Sequence, residues 1–167
     1  MEKSTGNKIN IAVFISGRGS NLKSLVKHSE YKYSPYKIKL VISNNFNAKG
    51  LYYAKKFKIK HYTTDYRNID FSEKMILKKL IKFKIDLICL AGFMKILSKK
   101  FIKKYKKPIL NIHPSILPKY KGLNTHEKVL KNNEKFSGST VHMVTPKLDS
   151  GKIILQRKVK VLKSDTV

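Results

Sequence analysis

Two polar residues in the middle of the chain, Asn111 and His113, have the types and the spacing of a catalytic pair. They end an apolar run that begins at Ile109, and Pro114 cannot continue a strand. Residues two apart on a strand point to the same face, so both side chains project together from a strand end. An amide donor beside an imidazole can stabilise an oxyanion and move a proton near neutral pH. The plainer interpretation is that Asn111 caps a turn and His113 is an ordinary hydrogen-bonded polar residue.

Two further loops carry residues that suit chemistry. The segment Ser16 to Asn21 contains two glycines, which let the backbone approach an anion, and it precedes a predicted helix whose free N–H groups can hold a phosphate. The dinucleotide-binding pattern is not met, because Leu22 occupies its third glycine position, so a small phosphate ester is predicted in preference to NAD. Asp149 lies in a later loop, where by itself it is more typical of a turn than of a catalytic site.

The elements that must position these loops alternate between apolar strand-like runs and helical patterns. The predicted strands are Ile9–Ser16, Lys37–Ser43, Ile59–Tyr62, Leu87–Ala91, Ile109–Ile112, Ser139–Val144 and Ile153–Val159. The predicted helices are Leu22–Ser29, Ala48–Phe57, Phe71–Phe83, a basic helix around Phe101–Tyr105, and Thr125–Lys131. Such alternation predicts the α/β class, with an open, mostly parallel twisted sheet and helices on both of its faces. In these sheets ligands bind beyond the carboxyl ends of the strands, where the first two motifs lie.

The composition is strongly basic. The chain has 167 residues with 37 Lys and Arg against 10 Asp and Glu, a formal net charge of +27, and only three of the basic residues are Arg. Nucleic-acid grooves favour Arg, whereas here Lys is spread over nearly every segment. We therefore attribute the charge mainly to a composition rich in Lys, Asn and Ile, and expect nucleic-acid binding to be at most non-specific.

The remaining composition indicates one soluble cytoplasmic domain. No apolar run approaches the roughly 18 residues of a membrane span, and Met1 to Asn7 contains no apolar signal-peptide core. The single cysteine, Cys89, excludes an internal disulfide framework. The five histidines show neither HxxxH nor HExxH spacing, so no metal is predicted. His142 shares a strand face with Thr140 and either neighbours the site or packs in the core or at the sheet edge.

Four segments give the chain a resemblance to a known family: Ile15 to Leu22, Ala91 to Ser98, Asn111 to Gly122, and Leu148 to Gly151. Together they resemble, in the same order, the folate-dependent phosphoribosylglycinamide formyltransferases. The block from Asn111 to Tyr120 is highly specific for folate formyltransferases in general, and the Gly-x-Gly-Ser-Asn opening is similar to this branch in particular. The resemblance implies a Rossmann-like formyltransferase fold.

The same resemblance implies roles for individual residues. It implies a catalytic trio of Asn111, His113 and Asp149. It implies substrate-phosphate contacts at Gly19, Ser20 and Asn21, and a folate pocket lined by Met94, Lys95, Ile96, Leu97 and Val144. The implied reaction moves a formyl group from the co-substrate 10-formyltetrahydrofolate to the amine of 5'-phosphoribosylglycinamide in purine biosynthesis, without a metal. The implied partners are thus small-molecule substrates, and no association with a membrane is expected.

Three alternatives stay open from the sequence. A methionyl-tRNA formyltransferase shares the folate chemistry and suits the basic charge, but it carries a further RNA-binding domain for which 167 residues leave no room. A formyltetrahydrofolate hydrolase would use the same His and Asp with water as the nucleophile. A basic RNA-binding α/β module without catalysis would depend on charge alone.

The last residues, Lys163 to Val167, give a further expectation. In the family the corresponding segment leads into another helix, which supplies an acidic residue to the acceptor's amino group. Here Ser164 or Asp165 has the character of an N-cap with no helix after it. We therefore expect this single catalytic domain, residues 1–167, to lack the family's C-terminal helix and to represent part of a longer protein.

Overall fold

The computed structural model describes residues 8–167, so Met1 to Asn7 lie outside the described residues. These residues form two compact units, divided between Pro108 and Ile109. Strands and helices alternate along the first unit: β1 (Ile9–Ile15), α1 (Ser20–Ser29), β2 (Tyr36–Ser43), α2 (Leu51–Lys56), β3 (Lys60–Thr63), α3 (Ile69–Lys82), β4 (Leu87–Leu90) and α4 (Lys99–Tyr105). Its strands lie in the order β3-β2-β1-β4, and every pair is parallel.

Strand β1 is the central strand of this sheet and is buried on both faces. Ile11, Val13 and Ile15 pack into a cluster that includes α1 and α2 residues. Phe14 points the other way, and its ring meets Phe93 edge-to-face at 5.4 Å. A strand covered on both sides must be apolar at every position, which explains its unbroken run.

Helices cover both faces of the first sheet. Helices α1 and α2 pack on the face that contains Val41 of β2. A cavity of about 130 Å³ on the opposite face is lined by Ile42 of β2 and by Phe71, Met75 and Ile76 of α3. Val41 and Ile42 are adjacent in β2 but face different helices, because successive side chains of a strand point to opposite faces of the sheet.

The second unit is built differently, around three antiparallel strands. Its elements are β5 (Ile109–His113), α5 (Thr125–Lys131), β6 (Phe136–Met143) and β7 (Ile153–Lys160). β6 pairs antiparallel with both β5 and β7. Strand β7 is exposed along most of its length, in contrast to β1.

The predicted elements are confirmed in kind and order, with shifted ends. Helix α5 has the predicted bounds, whereas α2 is shorter at both ends and β6 begins three residues earlier than predicted. The early start of β6 places Gly138 opposite Lys158, and a Cβ at Gly138 would clash with the carbonyl oxygen of the neighbouring Arg157. A glycine that weakens the strand pattern in the sequence thus permits a close strand approach. Within residues 8–167, no helix is long and apolar enough to cross a membrane.

Candidate active site

The catalytic residues expected on β5 are arranged by its pairing with β6. Asn111 is opposite His142 in this ladder, and His113 is opposite Thr140. Strand β5 ends at His113, immediately before Pro114. The register therefore brings the side chain of His142, which the sequence left between two interpretations, against the predicted pair.

Asn111 and His142 form a hydrogen-bonded pair. The Asn111 Nδ2 atom lies 3.1 Å from His142 Nε2. His142 Nδ1 lies 2.9 Å from the Met143 carbonyl oxygen, which can only accept, so Nδ1 carries a hydrogen. In the neutral ring this leaves a lone pair on Nε2, and we assign the Asn111 amide as its donor. The second N–H of the amide then remains for another acceptor.

His113 is buried and held at both ring nitrogens. Its side chain is 6% exposed. Nε2 donates to the carbonyl oxygen of Tyr120 over 2.8 Å, and Nδ1 lies 3.5 Å from Asp149 Oδ2. Since the carbonyl fixes the hydrogen on Nε2, a proton gained by this ring goes to Nδ1, beside the carboxylate.

Asp149 joins the two histidines. It lies in the loop between β6 and β7, at a φ of +43°, a conformation that Asp and Asn adopt more readily than most residues. One carboxylate oxygen, Oδ2, accepts from the Gly122 N–H over 2.9 Å, while Oδ1 lies 3.4 Å from His142 Nε2. Its side chain is 7% exposed. The structure thus brings the predicted trio together and adds His142; we call these four residues the polar cluster.

The segment that follows β5 is tied to the strands by hydrogen bonds. Thr140 Oγ1 donates to the Ser115 carbonyl over 2.7 Å and accepts from the Leu117 N–H over 3.1 Å. Gln156 Nε2 donates to the Leu117 carbonyl over 2.8 Å. These contacts position Tyr120 and Gly122, whose backbone groups hydrogen-bond to His113 and Asp149. The sequence did not predict either contact, because a backbone hydrogen bond does not depend on the residue type.

The predicted phosphate loop lies between β1 and α1 in the first unit. Gly19 is the N-cap of α1, with φ +77°, and it has no side chain to cap the helix. A Cβ at Gly19 would lie 2.5 Å from Gly50 Cα, so the loop packs against the start of α2 through two glycines. Ser20 and Asn21 form the first turn of the ten-residue α1 helix, where backbone N–H groups favour an anion.

The segment from Ala91 to Ser98, which we call the donor loop, follows β4 and contains four of the residues predicted to bind folate. Met94 is 63% exposed and Ile96 is 70% exposed, whereas Leu97 is 5% exposed. Leu97 therefore anchors the loop in the core. Hydrogen bonds from Arg67, with a smaller contribution from the Lys95 charge, lower the pKa of the Asp65 carboxyl. The Lys95 charge thus acts on the Asp65 carboxylate.

The fifth predicted folate residue, Val144, belongs to the second unit. It comes directly after β6, and its N–H donates to the Ile109 carbonyl over 2.8 Å. This bond extends the pairing of β5 and β6 by one step and fixes Val144 at the start of the loop that leads to Asp149. Across the described part of the chain, no group of three or more His, Cys, Asp or Glu residues is arranged to hold a metal ion.

Comparison with known families and proteins covers almost all of this chain. The family model described as "Formyl transferase" matches residues 9–167. A phosphoribosylglycinamide formyltransferase of Haemophilus influenzae is 41% identical over 160 residues, which are 94% of this chain and 76% of that protein. The trifunctional purine biosynthetic protein adenosine-3 of Gallus gallus is 42% identical over 164 residues; the chain spans only 16% of its length.

The solved structures agree with the sequence comparison. The crystal structure of phosphoribosylglycinamide formyltransferase from Anaplasma phagocytophilum matches with a TM-score of 0.90 and 42% identity, over 96% of this chain and 76% of the other. The predicted fold class, α/β with a mostly parallel sheet, is confirmed by this match and by the parallel strands of the first unit.

Proposed function

The chain belongs to the formyl transferase family, and from this premise we propose that it transfers the formyl group of 10-formyltetrahydrofolate to the amine of 5'-phosphoribosylglycinamide, in de novo purine biosynthesis. One observation carries the proposal: Asn111, His113, His142 and Asp149 form a single polar cluster, in which the side chains of His113, His142 and Asp149 are buried. Relatives named phosphoribosylglycinamide formyltransferase favour this acceptor over a tRNA.

The first step is attack by the amine on the formyl carbon of the donor. A new N–C bond forms while the formyl oxygen becomes an oxyanion, and the rate depends on donors that are already in place. Asn111 supplies one such donor, because one N–H of its amide goes to His142 and the other is available. His142 therefore orients Asn111.

The second step breaks the bond between the formyl carbon and the folate nitrogen. The attacking amine loses a proton and the leaving nitrogen gains one, so a nearby group must carry a proton between them. His113 does this from Nδ1, the ring nitrogen on the side of Asp149. Asp149 stabilises the protonated ring, and the Gly122 N–H keeps the carboxylate oriented.

The loops of the first unit bind the two substrates, and Val144 of the second unit is proposed separately as a folate contact. Gly19, Ser20 and Asn21 hold the acceptor phosphate through backbone N–H groups and short polar side chains. Met94 and Ile96, which are exposed, contact the flat folate ring, Leu97 anchors the segment that holds them, and Lys95 supplies positive charge to an anionic co-substrate. Both substrates are anionic, so the net charge of +27 speeds their encounter with the protein.

The test offers one donor to several acceptors. The chain is incubated with 10-formyltetrahydrofolate and either 5'-phosphoribosylglycinamide, methionyl-tRNA or no acceptor, and tetrahydrofolate production is followed. We expect rapid production with the phosphoribosylglycinamide alone. Production with methionyl-tRNA would support the tRNA-modifying alternative, and production without an acceptor would support a hydrolase. If the chain transfers no formyl group but binds RNA with an affinity that falls steeply with salt, the result would support the non-catalytic RNA-binding module.

Two finer statements go with this proposal. We place the protein in the cytoplasm, where a purine-forming enzyme has its substrates, and we propose that it acts without a metal. Fractionation of the source cells tests the location. Transfer activity that survives exhaustive treatment with a chelator tests the second statement, and activity lost to chelation and restored by a divalent ion would contradict it.

A further inference from the structure

Near each end of the donor loop, a backbone N–H donates a hydrogen bond to a side chain from elsewhere in the first unit. Near its start, the Met94 N–H donates to Ser16 Oγ over 2.7 Å. At its end, the Ser98 N–H donates to Glu73 Oε1 over 2.8 Å, and the Ser98 hydroxyl donates to the other carboxylate oxygen. Ser16 directly follows β1 and Glu73 lies on α3, so both acceptors are held in or next to a regular element.

Buried side chains flank the exposed part of the loop on both sides. Phe93 is 8% exposed, and its ring contacts Phe14 and Tyr66 edge-to-face, each at 5.4 Å. Leu97 is buried as well. The exposed residues from Met94 to Ile96 therefore lie between two fixed points. Each point combines one buried side chain, Phe93 or Leu97, with one hydrogen bond to Ser16 or Glu73.

The Glu73 carboxylate does more than cap a helix. Ser98 already caps α4, since its hydroxyl accepts from the Phe101 N–H over 3.0 Å. Glu73 is 4% exposed, and burying a carboxylate is unfavourable unless hydrogen bonds offset the loss of water. Both of its oxygens are used on Ser98. The carboxylate thus fixes where the donor loop ends.

Ser16 has a matching function at the start of the loop. Its hydroxyl accepts from Met94 and donates to Asn44 Oδ1, so one atom joins the ends of β1 and β2 to the donor loop. The Asn45 side chain donates to the Ser16 carbonyl over 3.1 Å, which holds the Ser16 backbone as well. An alanine at position 16 would keep the strand but leave the Met94 N–H without this acceptor.

We infer that Ser16 and Glu73 are positioning residues for the formyl donor: they hold Met94, Lys95 and Ile96 in the shape that receives it. This inference rests on the proposed function. Neither side chain needs to contact the donor, because each acts through a backbone N–H of the loop. Removing either anchor should weaken donor binding and leave the polar cluster of the second unit intact.

The experiment compares Ser16→Ala and Glu73→Gln with two matched controls. Ser34→Ala removes a buried hydroxyl that bonds only the Tyr36 carbonyl among its described contacts, and Ser72→Ala removes a buried hydroxyl from α3 beside Glu73. Hydrogen exchange is measured at the Met94 and Ser98 amides, together with the donor's dissociation constant by calorimetry and both KM values.

We expect exchange at Met94 to rise in Ser16→Ala and exchange at Ser98 to rise in Glu73→Gln. The donor's dissociation constant and KM should rise about tenfold in each, with kcat changed less than about threefold. The acceptor KM should stay unchanged in Glu73→Gln, and the controls should behave as the unsubstituted protein. Faster exchange with unchanged donor affinity would overturn the inference.

A failure of the proposed function gives a different result. If the unsubstituted protein binds the donor but transfers no formyl group to any acceptor, the proposed reaction fails, while the calorimetric comparison still tests the anchors. If Glu73→Gln does not fold, Ser98→Ala removes the hydroxyl bond to Glu73 from the loop side, together with the α4 cap, and leaves the Ser98 N–H bond; Ser98→Thr keeps the hydroxyl. Donor affinity must then fall in Ser98→Ala and recover in Ser98→Thr; equal affinities would overturn the inference.

Discussion

The predicted phosphate loop of the first unit and the polar cluster of the second use different parts of the polypeptide. The loop relies on the backbone: a left-handed glycine, a close contact between two glycines and the N–H groups at the start of α1. The cluster relies on side chains, and three of them, His113, His142 and Asp149, are each 7% exposed or less. Ser20 at the loop, by contrast, is exposed.

This difference indicates how the two regions divide the proposed work. Backbone N–H groups bind an anion without gaining or losing protons, so they suit binding that does not change during a reaction. Buried imidazoles and a carboxylate suit proton transfer, since a small rearrangement of charge in a poorly hydrated site has a large effect. Substitutions should therefore act mainly on KM in the loop and mainly on kcat in the cluster.

The largest expected effect comes from Asn111→Ala. Loss of one oxyanion donor should lower kcat by about a hundredfold to a thousandfold, with little change in either KM. Steady-state kinetics of formyl transfer measures this, and His113→Ala should also be severely impaired. Turnover near that of the unsubstituted protein in either variant would remove these residues from the proposed chemistry.

Asp149→Asn should have the next largest effect. The amide keeps the shape and tolerates the φ of +43°, but it carries no charge to stabilise a protonated His113, so kcat should fall about a hundredfold. Asp149→Ala adds backbone strain to the same loss and should also lower the melting temperature. If the Asn variant keeps full kcat, the carboxylate charge has no part in the reaction.

A smaller and different effect is expected from Gly19→Ala. The new Cβ would lie 2.5 Å from Gly50 Cα, at a φ of +77° that suits glycine, so the loop must move. The acceptor KM should rise at least about tenfold while the donor KM is kept. Gly17→Ala is the matched control, because a Cβ there meets no atom within 4 Å. Equal acceptor KM values for the two variants would show that the loop geometry does not matter.

The smallest expected effect is on the reactivity of Cys89, a titratable residue of β4 that lies outside both regions. Burial raises the pKa of its thiol to about 11. At pH 8 only about one thiol in a thousand is then ionised, so alkylation should be far slower than in the unfolded chain and should accelerate about tenfold per pH unit towards pH 10. Mass spectrometry after iodoacetamide treatment measures this. Rapid labelling at pH 8 would show that the thiol is neither buried nor shifted.

The sequence predicts a structural or site feature well when that feature depends on residues of one short segment. The spacing of Asn111 and His113 on a strand end, the glycines before α1 and the bounds of α5 could all be predicted, because each depends on neighbouring residues. The place of His142 could not be settled, since its side chain meets Asn111 only through the register of β5 and β6. Ser16 and Glu73 gave no signal, because their partners are 78 and 25 residues away.

The most direct test of the division between binding and chemistry is a single-turnover experiment. Enzyme in excess is mixed with 10-formyltetrahydrofolate and saturating 5'-phosphoribosylglycinamide, and the formylated product is quantified over time for the unsubstituted protein, Gly19→Ala and Asn111→Ala. We predict that saturating acceptor restores Gly19→Ala to within about threefold of the unsubstituted rate, while Asn111→Ala stays about a hundredfold or more slower. Equal rates for Asn111→Ala and the unsubstituted protein would contradict the account.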